Sequence, residues 1–232
     1  MSNAYFITGT DTGVGKTSIA VALLQAAQKI GLSTAAVKPV AAGCEMTANG
    51  LRNDDALLLQ QACTTALNYA VINPFALAPA IAPHFAAARE GLQLDAKELA
   101  GHCQGVLDLK AGFSVVEGAG GWRVPLNSHE TFADLAKLLG VPVILVVDIK
   151  LGCLNHALLS AEAIRADGLH LAAWVANQAS GVNECHDEMV ADLQHRLGCP
   201  LLADVPHLPE QALLQGVFDE GVFAMLGLPI TQ

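Results

Sequence analysis

Gly9-Thr10-Asp11-Thr12-Gly13-Val14-Gly15-Lys16-Thr17-Ser18 decides how the rest of the chain is read. It follows a short β-rich run, Tyr5 to Thr8, and opens a segment, Thr17 to Ile30, whose apolar residues recur at helical spacing. In that setting consecutive backbone N–H groups and a helix N-terminus make an anion site. Lys16 can reach the β- and γ-phosphates of a nucleotide, and Thr17 can ligate Mg²⁺. The common spacing G-x-x-x-x-G-K-[ST] would put its first glycine at position 10, which is Thr10; Gly9 comes one residue early, so the loop is a lengthened variant. The bland alternative is an ordinary strand-to-helix turn with a surface lysine, and it leaves G-x-G-K-T in this context unexplained. Partitioning and nitrogenase-type ATPases carry a further lysine five residues before the invariant one. Asp11 holds that position here, which argues against that branch.

Outward from the loop, β-rich runs alternate with helix-like segments, the pattern of a parallel sheet covered on both faces. The spacing predicts strands over Tyr5 to Thr8, Ala35 to Val40, Phe113 to Glu117, Val141 to Asp148, Leu171 to Asn177 and Leu201 to Val205. It predicts helices over Thr17 to Ile30, Asp54 to Cys63, Asp95 to Leu109, Phe132 to Leu139, Asn155 to Ala166 and Glu184 to Leu197. Gly31, Gly140, Gly168 and Gly198 each sit just past one of these helices, where a left-handed residue is wanted. Long irregular connections are expected at about residues 41 to 53, 64 to 94 and 118 to 130. Together these predict one α/β domain over residues 1–232, with a mostly parallel sheet and the helix layering of the P-loop nucleotide-binding folds.

Composition limits the function classes. The 232 residues carry 12 Lys plus Arg against 22 Asp plus Glu, a net charge of −10, with 53% hydrophobic and 15% charged residues. That excludes a disordered chain and argues against a broad basic surface that grips nucleic acid. The six cysteines, Cys44, Cys63, Cys103, Cys153, Cys185 and Cys199, form no C-x-x-C pair, and no basic-then-apolar leader precedes the first strand. Reduced thiols in a cytoplasm are expected. Thr64 to Ala88 is uncharged and long enough to span a bilayer, but it holds Asn68, Asn73, Pro74, Pro79, Pro83 and His84. It reads as a long loop and not as a membrane helix.

Chemistry-bearing residues gather at predicted strand ends, where ligands bind in open α/β sheets. Glu117 closes an apolar strand and is a candidate Mg²⁺ ligand, and Gly118, Gly120 and Gly121 after it allow close backbone approach. Lys38, in Val37-Lys38-Pro39-Val40, would aim its ammonium at the phosphate crevice; the alternative is an edge-strand lysine guarding against aggregation. Asn53-Asp54-Asp55 precedes a helix, so one Asp could merely cap it, or Asp55 could be the second carboxylate. Gly152-Cys153-Leu154-Asn155 opens another helix and offers N–H groups to an anion. Asn177 and Pro206-His207-Leu208 end the last two strands near the crevice. The histidines lack metal spacing, and Trp122 and Trp174 read as packing residues.

Gly9 to Thr17, Lys38-Pro39-Val40-Ala41-Ala42-Gly43, Asp54-Asp55-Ala56-Leu57, Glu117-Gly118-Ala119-Gly120-Gly121-Trp122, Lys150-Leu151-Gly152-Cys153-Leu154-Asn155-His156-Ala157 and Trp174-Val175-Ala176-Asn177 run in one order over nearly the whole chain. In that order they resemble the dethiobiotin synthetase family. The resemblance implies an ATP- and Mg²⁺-dependent ligase that carboxylates 7,8-diaminopelargonate with CO₂ and closes a ureido ring through a carbamate and a carbamic-phosphoric anhydride. By resemblance, Lys16 and Lys38 are catalytic and Thr17, Asp55 and Glu117 hold Mg²⁺. Nucleotide contacts are implied at Gly13, Val14, Gly15, Lys16, Thr17, Ser18, Asp55, Glu117, Gly118, Ala119, Gly120, Asn177, Gln178, Pro206, His207 and Leu208, with Glu210 a weaker candidate. Substrate contacts are implied at Thr12, Lys38, Gly152, Cys153, Leu154 and Asn155, the last four supplied by the second subunit of a homodimer.

Two departures stand out, Gly13 where many relatives carry Glu and Ala42 where they carry a substrate-contacting Ser. Two competing readings remain at this point. A non-enzymatic nucleotide switch would hydrolyse ATP slowly with no small-molecule stimulation. A cobyrinate-type amide-forming synthetase would normally bear an appended glutaminase domain, for which 232 residues leave little room.

Overall fold

A computed structural model of the chain describes residues 3–207 and 216–228. The central sheet has six strands: β1 (Ala4–Gly9), β2 (Thr34–Val37), β7 (Phe113–Gly121), β8 (Val143–Asp148), β9 (Leu171–Asn177) and β10 (Leu201–Val205). They lie in the order β10-β9-β8-β1-β7-β2, and every neighbouring pair is parallel. Parallel neighbours require crossover connections, and the helices that supply them cover both faces. Alternate residues of one strand therefore enter different cores. Phe6, Leu145 and Val147 pack in one layer, and Tyr5, Ile7, Ile144 and Val146 in the other.

The first layer is covered by α5 (Ala96–Leu107), α6 (Phe132–Leu139), α7 (Cys153–Ala166) and α8 (His186–Leu197), and the second by α1 (Lys16–Lys29), α2 (Asp54–Gln61) and α9 (Gly221–Met225). Their ends follow from local chemistry. Asp95 caps α5 by accepting from the Glu98 N–H at 2.8 Å. Thr131 and Asp134 form a reciprocal capping box on α6, which ends at Gly140 with φ 63°. After β7 the chain crosses from one side of β1 to the other, so the carboxyl end of β1 is the topological switch point. The glycine-rich loop sits there.

Several sequence boundaries shift. The strand expected over Ala35 to Val40 ends at Val37, because Pro39 has no N–H for the ladder; Val40 starts β3 (Val40–Ala42) in a separate two-stranded sheet. The strand expected from Val141 begins at Val143, after Pro142, and the helix expected from Asn155 begins at Cys153. The connections expected to be irregular carry structure. Residues 41 to 53 hold the hairpin β4 (Glu45–Thr47) and β5 (Gly50–Arg52), and 118 to 130 begins with the end of β7. Residues 64 to 94 hold α3 (Tyr69–Ile72), β6 (Phe75–Leu77), which pairs with β3, and α4 (Pro83–Arg89). Short apolar runs between prolines bury Ile72, Leu77, Ala86 and Ala87, which a solvated loop would not. Trp122 and Trp174 are buried packing residues, Trp122 edge-on to Phe6 with its Nε1–H donating to Asp167 at 2.8 Å. Among the described residues no helix is long and apolar enough to cross a membrane.

Candidate functional site

The loop between β1 and α1 is shaped by what its glycines avoid. A Cβ on Gly9 would meet Val14 Cγ2 at 2.5 Å, and one on Gly15 would meet Asn177 Nδ2 at 2.3 Å at a backbone φ of 90°. The chain can therefore curl tightly and start α1 directly at Lys16. Lys16 Nζ spans the loop and donates to the Asp11 carbonyl at 3.0 Å. Burial pushes its ammonium down to about 8, opposed by Glu117 and reinforced by Lys38. Among the described residues nothing lies within 4 Å of the Cβ position of Gly13, so a side chain there has space among them and is opposed by the φ of 75°.

Beside the loop, three elements bring a charge cluster together. Glu117 on β7 is fully buried, and its Oε1 accepts from Thr17 Oγ1 at 2.7 Å and from Lys38 Nζ at 2.6 Å. Lys38 Nζ also lies 3.1 Å from Asp55 Oδ2. Burial alone would lower the Lys38 pKa; Glu117 and then Asp55 outweigh it and raise the pKa above the ordinary value. Although β2 is an edge strand, Lys38 is only 5% exposed, so the aggregation-guard reading falls. Its backbone is pinned from the 64–94 segment: Lys38 N–H donates to Ile72 O at 2.8 Å, and Asn73 Nδ2 donates to Lys38 O at 2.8 Å. Neither aspartate caps α2. Asn53 does, accepting from the Ala56 N–H, and this leaves Asp55 in the first turn to face Lys38.

These groups form one wall of a cleft of about 630 Å³. Thr12, Gly13, Gly15, Ser18, Ala119 and Gly120 also border it. The other wall is apolar and was missed from the sequence: Val40, Ala41, Ile81, Pro83 and Val124, with the polar Asn53 nearby. For Ile81 and Pro83 the signal was the length of the uncharged 64–88 run, which names no residue; Val40 and Ala41 lie in the Lys38-to-Gly43 stretch, and Ala42, one of the two departures, borders the cleft as well. Gly118 lies against the Phe6 ring, its Cβ position 3.1 Å from the ring edge.

Farther along the strand ends, Asn177 Nδ2 donates to Val14 O at 2.8 Å and so ties β9 to the loop. Gln178 N–H donates to Val205 O at 3.1 Å, and His207 Nδ1 lies 2.9 Å from Gln178 O. Pro206 is exposed beside them. Leu208 and Glu210 lie outside the described residues. Gly152, with φ 93°, caps α7, and Asn155 is exposed, but Gly152 to Asn155 do not border the cleft. Cys153 is buried, its Sγ 3.7 Å from Met189 Sδ. Among the described residues no group of three or more His, Cys, Asp or Glu has metal-site geometry. The oxygen donors of the charge cluster are two carboxylates and a hydroxyl.

A doubly wound parallel sheet with a lysine-bearing glycine loop at its switch point defines a P-loop nucleotide-binding protein. Solved structures bear out the fold: MinD from Aquifex aeolicus superposes with a TM-score of 0.57 at 13% identity, covering 99% of both chains. A ParA-family ATPase from Chlorobium tepidum gives 0.55 at 13% identity, covering 98% of this chain and 92% of that one. A family model described as an AAA domain matches residues 3–212. The ATP-dependent dethiobiotin synthetase BioD of Pseudomonas aeruginosa is 58% identical over 207 residues, 89% of this chain and 91% of the relative. That of Cellvibrio japonicus is 55% identical over 205 residues, and that of Pseudescherichia vulneris 48% over 212; these span 88% and 91% of this chain and 90% and 88% of the relatives. The chain belongs to the dethiobiotin synthetase family.

Proposed function

We propose that the protein is an ATP-dependent carbon–nitrogen ligase of biotin formation, joining CO₂ to 7,8-diaminopelargonate and closing the ureido ring of dethiobiotin. The observation that carries this reading is Lys38 held between Glu117 and Asp55, beside Lys16 at the mouth of the glycine loop. A switch would need only the loop; a second buried ammonium over the same cleft suits a reaction in which an anionic substrate meets the γ-phosphoryl group.

One amine of the diamine adds to CO₂ and loses a proton, giving a carbamate. Lys38 and Lys16 hold its oxygens and the γ-phosphate in line, so that transfer forms the mixed anhydride and releases ADP. The neighbouring amine then attacks the carbonyl, the C–O bond to phosphate breaks, and a second proton leaves with ring closure. Thr17, Asp55 and Glu117 would hold Mg²⁺: they offer a hydroxyl and two carboxylates, and Glu117 Oε2 is a buried carboxylate oxygen with no hydrogen-bond partner among the described residues. When bound, the ion would offset the negative charge on the phosphate oxygens. The apolar wall of the cleft suits the aliphatic chain of the substrate. The α7 N-terminus, where Gly152 and Asn155 are exposed, lies off this cleft and would take the distal carboxylate of substrate held by a second subunit of a homodimer. Asn177, Gln178, Pro206 and His207 would line the adenine end.

Phosphate release should require ATP, Mg²⁺, the diamine and bicarbonate together, with a cyclic urea detected by mass spectrometry. Release that ignores the diamine would sink the ligase reading and favour the switch.

A further inference from the structure

Asp148 is the last residue of β8 and is almost fully buried, yet it belongs to none of the groups described above. Its carboxylate is surrounded by donors from two different loops. Ser180, after β9, donates its backbone N–H to Oδ1 at 3.0 Å and its hydroxyl to Oδ2. Lys150, after β8, brings Nζ to 3.0 Å from the same Oδ2. Burial alone would raise the carboxyl pKa, but Ser180 and Lys150 outweigh it and hold it below the ordinary value, so the group is ionised.

β8 and β9 already pair from Val143 to Asp148, and Ile149 N–H extends the ladder to Asn177 O at 2.8 Å. The strands therefore do not need this carboxylate to stay in register. What it fixes lies beyond their ends. On one side is the segment 178–181, which begins with Gln178 and closes on itself through Gly181 N–H to Gln178 O. On the other is the turn 150–152, whose Lys150 carbonyl accepts from the Cys153 N–H at 2.9 Å and sets the start of α7.

We infer that Asp148 is a positioning residue that locks the loop after β8 and the loop after β9 into one arrangement, so that the nucleotide-base end and the carboxylate-binding helix end are set together. This rests on the proposed roles of those two ends. A charged acceptor shared by two loops transmits a shift of either to the other, because neither donor set can relax without leaving the buried carboxylate short of partners.

The test compares the wild type with Asp148→Ala, Asp148→Asn and Ser180→Ala by steady-state kinetics, with ATP and diamine varied in turn, and by amide hydrogen exchange. Asp148→Ala should raise both KM values about tenfold with kcat changed less than about threefold, the loss of a buried charge-assisted contact. Asp148→Asn keeps the volume and one acceptor for Ser180 but loses the charge that holds Lys150, so both KM values should rise together, by less than in Asp148→Ala. Ser180→Ala removes one of the two donor sets, so both KM values should rise, by less than in Asp148→Ala; a rise in the ATP KM alone would count against the lock. Exchange in 149–153 and 178–183 should quicken together in Asp148→Ala, a readout that needs no turnover. A wild type without diamine-dependent turnover would defeat the functional reading, and the exchange data would still decide the lock. Unchanged exchange, or a lower melting temperature with both KM values within twofold of wild type, would overturn it.

Discussion

The two walls of the cleft are built on opposite terms. One is charge: Lys16-Thr17, Lys38, Asp55 and Glu117 come from four sequence-distant points; Thr17, Lys38, Asp55 and Glu117 bind one another through side chains, with Lys38 and Glu117 buried and Asp55 half-exposed. The other is backbone and small apolar groups. β3 pairs with β6, Gly43 N–H donates to Pro79 O at 3.1 Å and Cys44 N–H to Leu77 O at 2.9 Å, and the surface this presents is mainly alanine, isoleucine, valine and proline. A wall of charges fails when one member is removed, because the others are left buried without a partner. A wall of shape fails by displacement. The first should therefore govern turnover, and the second the fit of the organic substrate.

The largest effect is expected at Lys38. Lys38→Met keeps most of the side-chain volume but strands the Glu117 charge. Turnover should fall by about a thousandfold or more, as for loss of a transition-state charge contact. Stability should fall by about 3 kcal/mol, the usual result of breaking a buried pair from one side. The double variant Lys38→Met/Glu117→Gln separates the two roles, since the lone charge is gone. Its denaturation midpoint should recover most of the loss while turnover stays absent. Near-normal turnover in Lys38→Met would remove this lysine from the chemistry and collapse the contrast between the walls.

A smaller and differently shaped effect is expected at Gly43, where the apolar wall is anchored. Its φ is 75°, and an added Cβ would lie 3.2 Å from the Ala80 Cβ. Gly43→Ala should cost about 1 kcal/mol of stability from the left-handed backbone. Pushing Ala80 moves the apolar wall, so the diamine KM should rise several-fold while the ATP KM stays put. Equal rises in both would mean that the walls move as one body.

The same contrast governs what could be read in advance. Charge at motif spacing is visible in a sequence: Lys16 and Thr17 follow from the glycine pattern, and Lys38 and Glu117 stand out as the charges that follow short apolar runs, Lys38 just past β2 and Glu117 within β7. Asp55 over Asp54 was a choice between neighbours, and the cap on Asn53 shows the geometric reason that Asp55 is free to face Lys38. The six sheet strands were legible because parallel strands buried on both faces are apolar runs. The excursion over 64–94 was not. Ile72, Leu77, Ala86 and Ala87 are buried there by contacts to distant elements, and runs of three to seven residues between prolines carry too little periodicity to announce a helix or a strand. Nothing in Ala80, Ile81 or Pro83 suggests chemistry, because their part is to occupy space.

The smallest effect tests how firmly that excursion is held. Cys63 sits at its root, where the Sγ–H donates to Leu59 O at 3.1 Å, and burial pushes the thiol up to about 11. With a pKa about 3 units above a buffer at pH 8, only about one Cys63 in a thousand is thiolate, the form that reacts. Cys44, just after β3 with its Sγ–H donating to Ala41 O at 3.4 Å, is buried and burial also raises its thiol, whereas Cys185 is exposed. Alkylation at pH 8 followed by peptide mass mapping should modify Cys185 first and leave Cys44 and Cys63 untouched over the same interval, with enzyme activity unchanged. Because Cys44 is tied to the excursion through Leu77 O and Cys63 directly precedes it, early labelling of both would show that the apolar wall opens as a unit. Labelling of Cys63 alone would confine the opening to the end of α2.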